Sequence, residues 1–436
     1  MSEEAAPGDF VKIKTKEETI KGTLLPRSEL FDKRSGDPMK ILKLENGYNI
    51  GISTSRIIEI EVVKKHKQKT SRKAKRTSKN DLPKVLVISC GGTISSRVDY
   101  ITGGVHANYT AEDFIDMVPE LENVASIDAA HLLSKMSEDL VYDDWKSMAK
   151  LIVKEYGKYD GFVVTQGTDT MHYSSAALSF FLEGLSKPVV FTAAQRSIDR
   201  GSTDAFMNLL SAVKFAGHSS VPGVHVCMHG TINDDFCLVH KGTKVRKMHS
   251  LRRDAFRSIN DTPIAKVHYP GLEIEHMSPQ PKQDEFASKI ELKDAFEEKV
   301  ALIHFYPNLD PGIVDYYLEK GYKGFVFAGT ALGNICMEGR NSFEKVIARL
   351  KKKGLPVVMT SQCLYGRVDP LVYSTLRRLS VDGGVIFAED MLPEVAYIKL
   401  SWLLGQGLKK EEIREKVVTC LRGEINHVVR EDQFLN

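Results

Sequence analysis

The chain has no pair of cysteines in metal-binding or redox spacing. Its six cysteines, Cys90, Cys227, Cys237, Cys336, Cys363 and Cys420, are scattered without a Cys-x-x-Cys. That argues against a zinc site or a disulfide framework and for a reducing compartment. His106, His131 and His229 also lack ligand spacing and read as ordinary surface or core residues. No apolar run approaches the ~20 residues that a membrane helix needs. The acidic start, MSEEAAPGDF, lacks the apolar stretch of a secretory signal. A soluble, cytoplasmic protein with no membrane contact is expected. A large excess of charge is missing too: 60 basic against 57 acidic residues leave a net charge of +3, too little to make the whole molecule a nucleic-acid binder.

What is present is unevenly distributed. With 436 residues and 42% hydrophobic content, two or three domains with sizeable cores are expected. Residues 1–63 read as a small all-β module. Phe10–Ile13 and Ile20–Leu24 are strand-like, Ile41–Leu44 and Tyr48–Ile52 flank a Glu45-Asn46-Gly47 turn, and Ile57–Val63 closes the set. Five short strands in so few residues suggest an SH3-like barrel. Residues 64–83 are a basic linker. Its core, KKHKQKTSRKAKRTSK, is more than half Lys and Arg and has no acid. It reads first as a solvated spacer, with a segment that touches RNA phosphates as the alternative.

From Lys84 onward strand runs alternate with helical periodicity, the signature of a parallel sheet. Strands are expected at Val85–Ser89, Gly161–Thr165, Pro188–Thr192 and Val224–Met228, with helices over Tyr142–Tyr156, Thr170–Leu185 and Asp204–Ala216. Residues 84–270 form a first α/β domain, and the polar, Pro-containing stretch 271–299 reads as a connector. Residues 300–436 form a second α/β domain with a helical tail, its helices expected at 392–406 and 410–422.

Two stretches concentrate the chemistry. In KVLVISCGGTISS (84–96) a β-branched strand breaks into Gly91-Gly92 and Thr93. Alone this is also what a strand and a capping threonine look like. GFVVTQGTDT (161–170) repeats the pattern, crowding Thr165, Thr168, Asp169 and Thr170 at the end of a strand. Open α/β sheets build their sites at such carboxyl ends. A threonine hydroxyl is a weak nucleophile until a base takes its proton. Aspartate, with an ordinary pKa of ~3.9, is a poor base near neutrality, so the pattern asks for a partly desolvated lysine. Lys241, Lys244 and Lys247 are all available.

GGTI at 91–94 and TQGTDT at 165–170 are similar to the two signatures of the bacterial-type L-asparaginases, and the likeness extends through AAQRSIDRGSTDAFMNLLSAV (193–213), SQC (361–363) and AEDM (388–391). It covers residues 84 to about 410 in order. The resemblance implies a two-domain asparaginase-type α/β fold, a homodimer with the site at a subunit interface, and hydrolysis of a side-chain amide through a threonine acyl-enzyme. By matching position it implies Thr93 as nucleophile, with Thr168, Asp169 and Lys247 as the proton relay. Lys247 is anchored by its spacing to Asp254-Ala255-Phe256. It further implies Tyr109, Ser137, Glu138 and Asn334 as substrate-binding residues, although Ser137 also fits a helix cap. Arg367 stands where an acid holding the substrate amine is expected.

The β module and linker ahead of these signatures resemble the layout of the asparaginase-like subunits of archaeal tRNA-dependent amidotransferases. That resemblance implies a glutaminase using L-Gln (or L-Asn), with an E subunit as partner in a heterotetramer. The partner binds Glu-tRNA(Gln) and uses ATP and Mg²⁺, whereas this chain needs no metal or nucleotide. Two alternatives stand beside it. One is a free-standing L-asparaginase with an accessory β domain; the other is a non-catalytic RNA-docking protein on an asparaginase scaffold.

Overall fold

The computed structural model describes residues 5–25, 38–44, 49–65, 81–92, 96–98, 105–107, 118–198, 202–277 and 289–434. Thr93, Tyr109, the Glu45–Gly47 turn and most of the basic linker lie outside the described residues.

The N-terminal module has five strands: β1 (Phe10–Thr15), β2 (Thr19–Leu25), β3 (Met39–Lys43), β4 (Asn49–Ser53) and β5 (Ile57–Lys64). They pair antiparallel in the order β4-β3-β2-β1-β5. Alternate residues Val11 and Ile13 point inward and meet Leu24, Leu42 and Ile52 in a small core of their own. Register shifts between β1 and β5 at both ends of β1 supply the extra twist that a tightly coiled sheet requires.

The first α/β region comprises β6 (Lys84–Gly91), the ribbon β7 (Ser96–Val98) and β8 (Val105–Ala107), and β9 (Ser126–Lys135). There follow α1 (Tyr142–Glu155), β10 (Gly161–Thr165), α2 (Met171–Phe181), β11 (Leu182–Glu183), β12 (Pro188–Thr192) and α3 (Ala205–His218). The chain continues through β13 (Gly223–His229), β14 (Phe236–Lys241), β15 (Val245–Lys247), β16 (Phe256–Ser258), β17 (Ala265–His268), β18 (Ile274–His276) and β19 (Glu291–Leu292). Eight strands form one sheet in the order β18-β17-β14-β13-β12-β10-β6-β9. The β-branched runs are continuous because both faces are covered: Leu86 and Ile88 face the core containing α2, while Val85 and Val87 face the core containing α3.

The sheet is parallel from β9 to β13 and antiparallel from β13 to β18, where a parallel sheet alone was expected. β9 escaped the sequence reading because it is a half-buried strand interrupted by His131 and Ser134. The stretch read as a connector contributes two edge pieces: β18 extends the large sheet past residue 270, and β19 pairs with β11. That pairing also ends α2 at Phe181, four residues earlier than its periodicity suggests.

The second α/β region contains β20 (Val300–His304), α4 (Gly312–Glu319), β21 (Gly324–Gly329), α5 (Glu344–Lys352), β22 (Val357–Ser361), α6 (Ser374–Arg377), β23 (Ile386–Phe387), α7 (Pro393–Gly405) and α8 (Lys410–Val418). Its four strands are all parallel in the order β20-β21-β22-β23. α2 and α7 share one apolar core, with Phe180 stacked on Trp402 at 5.5 Å. No helix among the described residues is long and apolar enough to cross a membrane.

Candidate active site

Parallel pairing of β6 with β10, Ser89 opposite Thr165, brings the two strand ends side by side. Beyond them the chain turns on glycine. Gly92 has φ +80°, and a Cβ there would lie 2.1 Å from the Gly167 nitrogen. A Cβ on Gly167 would in turn meet Ser137 at 2.8 Å. Side chains at either position would push apart the three loops that converge here. Gly92 immediately precedes Thr93, so the backbone leads the first motif directly onto the second.

Thr168 and Asp169 follow β10, and α2 starts two residues later. Lys247 lies on the two-stranded ribbon β15–β16. There Lys247 pairs with Phe256, and the Met248 N–H donates to the Ala255 carbonyl at 2.7 Å. Asp254 beside them accepts from Arg252 and Arg257 at 2.8 Å, which holds its carboxyl down at about 2. The Asp254-Ala255-Phe256 anchor therefore builds the ribbon that presents the lysine.

The Lys247 Nζ donates to Thr168 Oγ1 at 2.7 Å and to Asp169 Oδ1 at 2.6 Å. The Thr168 hydroxyl donates to Asp169 Oδ1 at 3.3 Å. The hydrogen bond from Lys247 holds Asp169 below the usual carboxylate range, against the smaller effect of burial. Thr168 is buried, the Lys247 side chain is 11% exposed and the Asp169 side chain 65%. The group is thus shielded from behind and open in front. Of the three candidate lysines only this one meets the threonine motif. Lys241 pairs with Asp261 at 2.8 Å, and Lys244 is buried against Asp390 at 2.6 Å.

Ser137 joins this group. It is buried in a 3₁₀ turn over Ser137–Asp139, and its carbonyl accepts from the Thr170 hydroxyl at 2.6 Å. Glu138, on the same turn, is exposed. Asn334 lies after β21, in a backbone bridge with Thr330, and its side-chain oxygen accepts from the Thr375 hydroxyl at 3.4 Å. Among the described residues none of its hydrogen bonds joins it to Thr168, Asp169 or Lys247. Arg367 is ion-paired with Glu389 and donates to the His427 carbonyl at 2.8 Å. Thr93 and Tyr109 lie outside the described residues.

Sequence reasoning missed a second layer. His172, in the first turn of α2, is held neutral by burial, its pKa pushed down to about 3. Its Nε2 lies 3.9 Å from Oε1 of Glu394, a carboxylate in the first turn of α7 whose pKa burial pushes up. Glu394 accepts from Arg246, next to Lys247, at 2.8 Å. The adjacency of Arg246 to Lys247 was visible in the sequence; its partner, 148 residues away, was not.

The family description "Asparaginase, N-terminal" matches residues 84–280, "Glutaminase/Asparaginase C-terminal domain" residues 299–416, and "GatD N-terminal domain" residues 5–63. Among solved structures, the thermostable L-asparaginase from Thermococcus kodakarensis superposes with a TM-score of 0.71 at 32% identity, covering 79% of this chain and 100% of that one. L-asparaginase I from Vibrio cholerae gives 0.68 at 27%, covering 79% and 99%. The D subunit of glutamyl-tRNA(Gln) amidotransferase from Pyrococcus abyssi is 47% identical over 98% of this chain and 97% of its own length. Its counterpart from Archaeoglobus fulgidus is 44% identical over 97% and 96%. With an asparaginase-type two-domain body and an N-terminal β module matched from end to end, the chain belongs to the family of glutamyl-tRNA(Gln) amidotransferase D subunits.

Proposed function

We propose that this chain is the glutaminase subunit of a Glu-tRNA(Gln) amidotransferase and releases ammonia from L-Gln through an acyl-enzyme on Thr93. The observation that carries the reading is the Lys247 ammonium held at 2.7 Å from Thr168 Oγ1 and 2.6 Å from Asp169 Oδ1. It stands beside the glycine turn that leads into Thr93. A lysine that can give and take a proton, oriented by a carboxylate and relayed through a hydroxyl, is what a threonine nucleophile requires.

In this reading the Thr93 oxygen attacks the side-chain amide carbon as its proton passes to Lys247 in its neutral amine form, which Thr168 and Asp169 orient. The relay returns a proton to the leaving nitrogen as ammonia departs. Water then hydrolyses the ester, freeing glutamate and Thr93, with Thr168 orienting that water. Backbone N–H groups of the glycine turns hold the oxyanion, a contribution of about 3 kcal/mol per donor. Tyr109, Ser137, Glu138 and Asn334 bind the substrate, Asn334 across a homodimer interface. A separate E subunit, in a heterotetramer with this chain, activates the tRNA-bound glutamate with ATP and Mg²⁺ and receives the ammonia in the cytoplasm.

The test is ammonia release from L-Gln and L-Asn by the full chain alone, then with the partner subunit and Glu-tRNA(Gln). Low activity that rises with both additions supports the reading. Fast L-Asn hydrolysis indifferent to them identifies a free-standing asparaginase, and no release under any condition identifies a non-catalytic scaffold.

A further inference from the structure

The segment from Lys244 to Lys247 carries three cations, each held by a carboxylate distant in the chain. Lys244 meets Asp390 at 2.6 Å, Arg246 meets Glu394 at 2.8 Å and Lys247 meets Asp169 at 2.6 Å. Asp390 and Glu394 both belong to the C-terminal domain, just before and just inside the start of α7. Along β15 successive side chains leave on opposite faces. The Arg246–Glu394 bond therefore grips the strand from the side opposite the one that presents Lys247.

Glu394 is an expensive residue to keep. It is buried, and its Oε1 has no hydrogen-bond partner among the described residues, nor has Nδ1 of His172 beside it. An apolar side chain would pack between α2 and α7 without leaving a carboxylate oxygen unsatisfied. Costs of this kind concentrate where function requires them.

We propose that Glu394 is a positioning residue: through Arg246 it sets where β15 places the Lys247 ammonium against Thr168 and Asp169. The C-terminal domain thereby controls the proton-transfer group of the N-terminal one. The inference rests on the reading of Lys247 as the proton-managing lysine.

The experiment is a kinetic cycle on the full chain with L-Gln, using Glu394→Gln, Lys247→Ala and the double variant, with circular dichroism to count folded protein. Misplacing a relay group by a fraction of an ångström predicts a kcat loss of about 10- to 100-fold. KM should stay within about twofold, since only the transition-state interaction is lost. Glu394→Asp, which keeps the charge, should restore part of the rate. In the Lys247→Ala background Glu394→Gln should add no further loss, because its effect runs through the missing lysine. Wild-type kcat in Glu394→Gln, or additive losses in the double variant, overturns the inference while leaving the function intact. Near-full turnover by Lys247→Ala alone overturns the assignment of Lys247 to the relay on which the inference rests. If Glu394→Gln does not fold, Arg246→Lys keeps the cation but not the guanidinium geometry and goes through the same cycle.

Discussion

Two lysines three residues apart form ion pairs of the same length in opposite surroundings. Lys244–Asp390 and Lys247–Asp169 both measure 2.6 Å. In the first pair each side chain is 1% exposed, and Asp390 also accepts the Asn426 N–H at 2.9 Å. In the second the carboxylate is mostly in solvent. The comparison shows that two ion pairs of equal length can differ completely in their access to solvent. A fully buried pair with saturated acceptors has nowhere to send a proton, and its desolvation cost makes it fragile to losing one partner. A pair open on one side, with a hydroxyl bridging it, can exchange protons with a substrate.

The largest effect expected from breaking this contrast is catalytic. Lys247→Ala should lower amide hydrolysis by about 10²–10⁴-fold, with little change in melting temperature because its carboxylate partner returns to water. Steady-state kinetics and a thermal melt on one preparation check both halves.

Lys244→Ala should do the reverse. Leaving Asp390 buried without its cation should cost about 3–5 kcal/mol of stability, read as a lower denaturant midpoint. The purely buried Lys399–Glu424 pair, 2.6 Å apart between α7 and the tail, sharpens the point. Lys399→Met alone should be strongly destabilising, while replacing both partners by apolar residues should recover most of the loss.

pH should separate the two environments next. His172, His225 and His240 are held neutral by burial, their pKa values pushed down to about 3, about 4 and about 3 from an ordinary 6.5. Below pH 6.5 the unfolded chain binds protons at these positions and the folded chain does not. Their contribution to stability is therefore complete above pH 6.5 and is lost as pH falls from there through about 4 and about 3. Asp169, with its lowered value, loses its own contribution only as pH falls below the ordinary 3.8. Melting temperature should decline from pH 6.5 to 4, and His240→Gln should flatten that decline. The smallest effect belongs to a lysine just past the end of α1: removing Lys158, which is exposed and 2.7 Å from Glu155, should leave the melt unchanged.

The strand-end half of the candidate site was legible because it is local. Gly91-Gly92 and Thr168-Asp169 sit at the ends of strands whose β-branched runs announce themselves, and parallel pairing of those strands needs no information beyond the pattern. Lys247 was legible only through its spacing to Asp254-Ala255-Phe256, since three lysines share the region. The antiparallel half of the large sheet was not, because the direction of β14 and β17 is set by the loops that bring them back.

The sequence by itself determined the α/β alternation, the glycine turns, the hydroxyl and carboxylate at the second strand end, and the separate β module. These follow from side-chain period and backbone freedom within a dozen residues. Residue chemistry alone left Lys241, Lys244 and Lys247 open; the tertiary structure brings Lys247 to Thr168, locks Lys244 against Asp390 and sets Glu394 behind Arg246. Those pairings join residues 79, 146 and 148 positions apart. Charge has no periodicity along a chain, so a partner at that range is chosen by the packing of α2 against α7 and by which side chains that packing leaves water able to reach.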